Sequence, residues 1–487
     1  MRKTAARMTA GLMAAALIAT GLITSPAAFA AGEGETLRPD QSTFFGLYKE
    51  LVETNTTVSQ GSCTLAAERM AARLKAAGFT DDQLTLFATP EHPRDGGLVA
   101  VWPGTSKTLK PMLLLAHIDV VEANREDWVR DPFTLIDEGG YYYGRGTVDD
   151  KAQAAIFTDT LVRFAQEGHH GQRTIKLALT CGEETSGAFN GAEWLAANKR
   201  DLIDAEFAIN EGGGGRTDGM GVSEGGKVVV QTIQVGEKAY QDFTFTATNP
   251  GGHSSQPVRD NAIYAMSEAL LKVQGAQFPL EFNDTTRAFF AQAGKTRGGE
   301  LGAAMMALAA NPDDAGAEAI VNQDKALHSM LRTTCVGTLV DGGHALNALP
   351  QRVTANVNCR MFPGRSTAET KAALEAVIGN PSISVAPRIA DKPIAKVPPL
   401  DPRIISASER LVAKYFPGLT LLPTMSTGAT DAVYTGSVGI PTYGVPGLWG
   451  NPDGNGTHGL NERIEKTSLY TGRDFLYELV RNLADTK

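Results

Sequence analysis

The sequence predicts an α/β protein, a sheet covered by helices on both faces with a smaller ferredoxin-like α+β unit inserted into it. Short apolar runs alternate with helical periodicity through the first half of the chain, and this pattern resumes after residue 396. From Gly236 the order becomes strand, helix, strand, strand, helix, strand, with an Ala-rich stretch after the first helix. A chain of 487 residues exceeds one compact core. The expected division is residues 31–236 plus 396–487 as one domain and 237–395 as the insertion.

The first thirty residues stand apart. Arg2, Lys3 and Arg7 precede an apolar run from Gly11 to Ile23, and Ala28-Phe29-Ala30 offers a small-residue cleavage site. This is the order of a signal peptide over residues 1–30, and its apolar part is short for a spanning helix. Export to the periplasm or the extracellular space is expected, with no membrane attachment after cleavage. The formal net charge of −9 falls to −12 when the three basic residues leave with that segment. An acidic chain without basic clusters makes a nucleic-acid partner unexpected.

Along the mature chain, Leu65 to Ala77 reads as an amphipathic helix, Gly97 to Trp102 and Pro111 to His117 as strands, and Lys151 to Gln166 as a helix. Thr174 to Thr180 and Glu206 to Asn210 are apolar runs of buried-strand length. In the insertion, Tyr240 to Thr248 alternates, Asn261 to Val273 is helical, and Thr334 to Val340 and Val353 to Met361 are strands. A helix from Thr367 to Ile378 and a strand at Ile383 to Pro387 follow. The Pro-rich stretch from Lys392 to Pro402 leads out, and a helix from Ser468 ends the chain.

Four polar clusters follow apolar strands or the loops beyond them. His117 ends one strand with Asp119 two residues on, a spacing that lets a carboxylate steady an imidazole. Asp149-Asp150 follows the glycine-punctuated Gly144-Arg145-Gly146 loop and opens a helix. Glu183-Glu184 follows a buried strand, where one carboxylate can bind metal and its neighbour can move a proton. Asn210-Glu211 ends another strand. Each pair alone fits an ordinary turn or helix cap. Together they gather His, Asp and Glu at the carboxyl edge of one sheet, where open α/β folds hold ligands, as a donor set for zinc or a similar ion. His344 reads as a turn residue. Ser254-Ser255 lacks the elbow of a nucleophile and reads as satisfying backbone groups. Asp431 reads as structural or substrate-contacting.

These clusters, with Gly251-Gly252-His253-Ser254-Ser255-Gln256-Pro257, Asn358-Cys359-Arg360-Met361-Phe362-Pro363-Gly364, Gly428-Ala429-Thr430-Asp431-Ala432 and Thr457-His458-Gly459-Leu460-Asn461-Glu462, resemble in their order the M20 metallopeptidase family, close to its carboxypeptidase and aminoacylase branch. The resemblance runs from about Thr43 to the end. It implies a zinc-peptidase-like catalytic domain with a mixed sheet covered by helices, plus a ferredoxin-like lid and dimerisation domain. It also implies two divalent ions per chain, Zn2+ first, with Co2+ or Mn2+ as alternatives. His117 and Glu211 would bind one ion, Glu184 and His458 the other, and Asp149 would bridge them, about 3.5–4 Å apart. Glu183 would be the general base and Asp119 would orient His117. His253 would support the oxyanion, commonly across a dimer interface. Arg360 and Asn347 would contact substrate, Arg360 at its carboxylate, and Gly428 and Thr430 would line the pocket. A cis peptide is implied between Asp149 and Asp150. The chain departs from many relatives at Ala152, where they carry Gly, and at Gly182, where they carry Asp.

The function implied is a metal hydrolase that cleaves the amide bond of small peptides or N-acyl amino acids with a free carboxylate. A Glu at position 211 goes with the carboxypeptidase and acylase side of the family. The alternatives are an aminopeptidase of the same fold and a periplasmic binding protein that has lost catalysis. Of the four cysteines, Cys335 and Cys359 lie on strands that flank one turn and are read either as a cross-strand disulfide or as buried thiols. Cys181, beside Glu183, is the least suited partner for either.

Overall fold

The computed structural model describes residues 37–185, 187–389 and 393–486. The signal-peptide expectation over residues 1–30 therefore lies outside the described residues. No helix among those described is long and apolar enough to cross a membrane.

The larger sheet has ten strands. At its centre Ile175–Thr180, Met112–His117 and Phe207–Asn210 run parallel and adjacent. Their side chains are buried on both faces, as their unbroken apolar composition requires. Met112, Leu114 and Ala116 pack into one core layer, while Leu113 and Leu115 enter the layer on the other face. Because the three strands are parallel, their carboxyl ends emerge on one edge, which sets His117, Cys181-Gly182-Glu183-Glu184 and Glu211 side by side.

The helix Lys151–Glu167 is buried along most of its length and ends on Gly168 at φ 62°, a left-handed position that glycine adopts at little cost. Its Asp159 accepts from the buried Arg473 at 2.7 Å, tying it to the C-terminal helix Lys466–Asp485. The expected helix at Leu65 begins two residues earlier, at Cys63, because Ser62 caps it by accepting from the Leu65 N–H at 3.2 Å. The expected strand at Gly97 begins at His92 and forms a hairpin with Leu84–Thr89. Its first residues are too polar to show alternation.

The smaller sheet has four antiparallel strands in the order Thr334–Gly342, Arg352–Met361, Ala239–Thr248, Ile383–Pro387. Numbered along the chain this is 2-3-1-4, the arrangement expected from the β-α-β-β-α-β pattern. Helices Ala262–Gly275 and Thr367–Ile378 contribute to a separate core built on Phe243, Phe245, Val357 and Leu374. The Ala-rich stretch forms four helices, Asp284–Arg297, Gly299–Ala310, Ala315–Val321 and Lys325–Met330. Their core takes in Phe362 and also Met425 from Leu421–Ser426, a strand of the larger sheet. The insertion thus packs against both sheets.

All four cysteines are paired. Cys335 and Cys359 are directly opposite in the ladder, Cα–Cα 4.1 Å, and form a disulfide. Cys63 and Cys181 form a second, joining the start of a helix to the residue after a central strand.

Candidate metal centre

Three strand ends and two loops build the site. His117 is fully enclosed, and its Nδ1 faces the Asp119 carbonyl at 3.2 Å, nearer than the Asp119 carboxylate at 3.7 Å. A ring N–H donated to that carbonyl leaves Nε2 for the site. His117 Nε2 lies 3.0 Å from Asp149 Oδ1 and 3.8 Å from Glu211 Oε2. On the other side His458 Nε2 lies 3.2 Å from Asp149 Oδ2 and 2.8 Å from Glu184 Oε2. The two oxygens of Asp149 therefore face two different imidazoles. Asp119 adds a second function: its carboxylate accepts from the backbone N–H groups of Glu183 at 3.3 Å and Glu184 at 3.1 Å. One buried carboxylate steadies the His117 strand end and the Glu183-Glu184 turn together.

The loop that carries Asp149 is held by Glu462. This buried carboxylate accepts from Arg145 at 2.8 Å and from the N–H groups of Gly146, Val148 and Asp149 at 2.9, 2.8 and 3.1 Å. The Asp149-Asp150 peptide is cis. Lys151, just beyond, turns inward to the Thr54 carbonyl at 2.8 Å. His458 and Asn461 sit at φ 57° and 55°, a left-handed turn that aims the exposed His458 back at Asp149 and Glu184. Glu462 stands within a quoted motif yet had no role in the sequence reading. Its signal was an acid near a histidine with no partner visible in sequence.

The electrostatics of the cluster are those of a site short of positive charge. Burial, then the charge on Glu211, pushes the Glu183 carboxyl up to about 10. Burial pushes Glu211 up to about 7, against the pull of His117, and raises Asp150 well above the carboxylate range, with Glu211 adding to it. Burial opposes protonation of His117, but Glu211 and Asp149 outweigh it and raise its pKa. Asp149 and Glu184 push His458 up to about 10. Burial works against ionisation of Asp149, yet the two imidazoles hold it below its ordinary range. Glu211 Oε1 and Asp150 Oδ2 are buried without a hydrogen-bond partner. Carboxylates so crowded, with orphaned oxygens, fit divalent cations in chemistry and number of donors. His117, Asp149 and Glu184, and likewise His117, Glu183 and Glu211, bring one ligand atom each within 4.8 Å of one another.

The remaining residues named from sequence sit elsewhere. Thr430 donates to Glu237 and Gly428 donates to Ser426 Oγ, both in the loop after Leu421–Ser426. Asp431 is buried and accepts from Thr180 and Asn190, a structural role at the strand ends. His253, Asn347 and Arg360 lie on the smaller sheet and its loops. His253 is exposed, paired through its strand with Ala348, and its imidazole meets Ser255 at 2.8 Å. The Asn347 carbonyl accepts from the Ser254 N–H. Arg360 lies over the Tyr240 ring at 4.7 Å. Among the described residues, no hydrogen bond or ion pair joins these three to the His117–His458 cluster. His344 is exposed in the loop after Thr334–Gly342 and lies outside the cluster.

Residues 113–482 match the peptidase family M20/M25/M40. The chain belongs to this family. It is 26% identical to the human N-fatty-acyl-amino acid synthase/hydrolase over 79% of this chain and 76% of that protein. It is also 26% identical to aminoacylase-1 of Mus musculus, over 79% and 83%. In fold it is similar to an M20 metallo-carboxypeptidase from Sulfolobus solfataricus, with TM-score 0.68, 16% identity and coverage of 92% of this chain and 100% of the other. A dinuclear metal-binding M20 peptidase of Bacillus subtilis aligns with TM-score 0.55 and 14% identity over 92% and 99%. The chain is thus an M20-type hydrolase, and its homologues at the family level include carboxypeptidases and N-acyl-amino-acid hydrolases.

Proposed function

We propose that this M20 hydrolase is exported, binds two divalent ions and cleaves the amide bond of small peptides or N-acyl amino acids that carry a free carboxylate. The observation that carries the metal assignment is Asp149, whose two oxygens face His117 at 3.0 Å and His458 at 3.2 Å. His117 with Glu211 would hold one ion and Glu184 with His458 the other, and Asp149 would serve both. Zn2+ suits the mixed imidazole and carboxylate donors, and Co2+ and Mn2+ can occupy them too. When bound, such a pair polarises the scissile carbonyl and makes water acidic enough to deprotonate near neutrality.

The chain's own residues do the rest. Asp119 holds the backbone of Glu183, so that carboxylate is fixed beside the cluster. Glu183 takes a proton from the attacking water and passes it to the leaving nitrogen. Gly428 and Thr430 line the pocket. Arg360 pairs with the substrate carboxylate, its guanidinium supported on Tyr240, and Asn347 contacts the substrate.

We read residues 31–236 and 396–487 as the catalytic domain and 237–395 as a lid through which two chains associate. Support comes from the edge strand Thr334–Gly342, where Val336, Leu339 and Val340 are 58, 61 and 65% exposed, an apolar sheet edge that an isolated chain leaves uncovered. In this dimer His253 serves the partner's site and steadies the oxyanion, in keeping with its exposure and with its bonding only to Ser255 among the described residues' side chains.

The test is a panel of N-acyl amino acids, dipeptides and their amidated counterparts, compared by kcat/KM. Substrates with a free carboxylate and a blocked nitrogen should rank first. Preference for a free amine, or equal hydrolysis of amidated substrates, would overturn the assignment.

A further inference from the structure

The larger sheet hands the chain to the smaller one at Gly236-Glu237-Lys238, and the residue at that crossing reaches the candidate site. Glu237 ends the strand Val228–Glu237 and lies opposite Ser426 in the parallel pairing of Val228–Glu237 with Leu421–Ser426. Its carboxylate is partly buried and makes no ion pair among the described residues. It accepts three hydrogen bonds: from the Thr430 N–H to Oε1 at 3.1 Å, from the Thr430 hydroxyl to Oε2 at 2.8 Å, and from Gln234 Nε2 at 3.2 Å. Thr430 passes the connection on, because its Oγ1 accepts from Asn210 Nδ2 at 3.2 Å, and Asn210 directly precedes Glu211. Gln234 in turn fills the space below Gly212, the residue after Glu211, where a Cβ would come within 2.4 Å of its amide oxygen. On its other side the crossing is pinned. Lys238 donates to the Ser329 carbonyl and to Thr334 of the insertion at 2.9 Å each, its N–H bonds to the Ser426 carbonyl, and Gly236 at φ 90° faces Val397 of the returning Pro-rich segment.

We infer that Glu237 is a positioning residue: it clamps the Gly428–Thr430 loop to the crossing between the two sheets and so sets where that loop meets the substrate. A half-buried carboxyl that faces no cation gives up hydration, and the two-point grip on Thr430 offsets that loss. Burial raises its pKa to about 8, against the Thr430 bonds that pull it down. The Thr430 N–H needs one acceptor oxygen, the Thr430 hydroxyl can meet either an acceptor or a donor, and a side chain of this length is needed to reach both. The inference rests on the reading of residues 428–430 as part of the substrate site.

The experiment measures three variants, Glu237→Ala, Glu237→Asp and Glu237→Gln, in the metal-loaded enzyme. Hydrogen exchange of residues 427–432, bound metal per chain, and kcat and KM are read together. Glu237→Ala and Glu237→Asp should keep their metal, exchange faster in this loop, and raise KM by roughly tenfold or more with a smaller change in kcat, the size expected when a buried hydrogen-bonded pair is broken. Glu237→Gln, which keeps the length and one acceptor, should restore KM to within about threefold of wild type. Unchanged loop exchange in folded Glu237→Asp, or a loosened loop with unchanged KM, would overturn the inference. If the wild-type enzyme cleaves no substrate in the panel, the functional reading fails by itself, and the exchange data still decide whether Glu237 holds the loop.

Discussion

Glu183 is the residue proposed as the base, and its surroundings differ from those of its neighbour Glu184. Its backbone is held by Asp119, while Glu184, next in sequence, reaches His458 at 2.8 Å. Two adjacent carboxylates thus point to two tasks. Glu183→Gln should retain both ions by elemental analysis while turnover falls by roughly 10²–10⁴. Substantial activity would remove Glu183 as the base. At the crossing, Glu237 offers a pH test at a residue that would not bind metal, with burial as the main cause of its shift. Its pKa in the folded chain, raised by burial to about 8, lies above the ordinary glutamate value of 4.5. Between those values the folded chain holds a proton that the unfolded chain has released, so this carboxyl's contribution to stability is complete below about 4.5 and is lost as pH rises through about 8. Glu237→Gln cannot lose that proton. Its melting temperature relative to wild type should therefore climb between pH 5 and 8.5, and a difference that stays flat would contradict the shift.

At the scale of elements, two disulfides brace the structure at very different spans, 118 and 24 residues apart in sequence. Closing loops of this order stabilises by roughly 3–5 kcal/mol each in the entropic description. Denatured, unreduced protein should show no free thiol, and reduction should lower the urea midpoint. Four titratable thiols would contradict both bonds. The cross-strand pair was legible in sequence because Cys335 and Cys359 flank one turn. The Cys63–Cys181 pair was not, because only the tertiary fold brings a helix start against a strand end. The same distinction runs through the rest of the fold. Met112–His117 and Phe207–Asn210 announce themselves as unbroken apolar runs, and their carboxyl ends gather His117, Glu183, Glu184 and Glu211 as expected. The Ala-rich segment conceals four helices, since short helices rich in Ala and Gly carry little amphipathic contrast. Glu462 was not visible as a support because three of its four donors are backbone N–H groups, which leave no mark in a side-chain pattern, and Glu237 because its partner Thr430 lies far along the chain. The assignment of Asp119 as a holder of His117 needs a change of emphasis: its carbonyl is the nearer partner, and its carboxylate spends both oxygens on the Glu183-Glu184 turn.

At the scale of the molecule, His253 and Asn347 lie at a two-stranded ladder and Arg360 on the smaller sheet, and among the described residues no hydrogen bond joins them to the cluster whose substrate they are proposed to contact. In the proposed symmetric dimer a partner's residues would reach each site, and the exposed edge at Val336, Leu339 and Val340 would form the contact. Mixing inactive His253→Ala chains with inactive Glu183→Gln chains should restore part of the activity, because a mixed dimer holds one site with both residues intact. No recovery after verified subunit exchange would place His253 in its own chain's site. The central claim is the pair of ions bridged by Asp149, and it is tested most directly by titrating metal-free protein with Zn2+ while following hydrolysis of an N-acyl amino acid. Activity should be absent without metal and should level off at about two equivalents per chain, as a bridged two-ion site requires. Full activity in the metal-free protein, or a plateau at a single equivalent with no second ion bound, would contradict it.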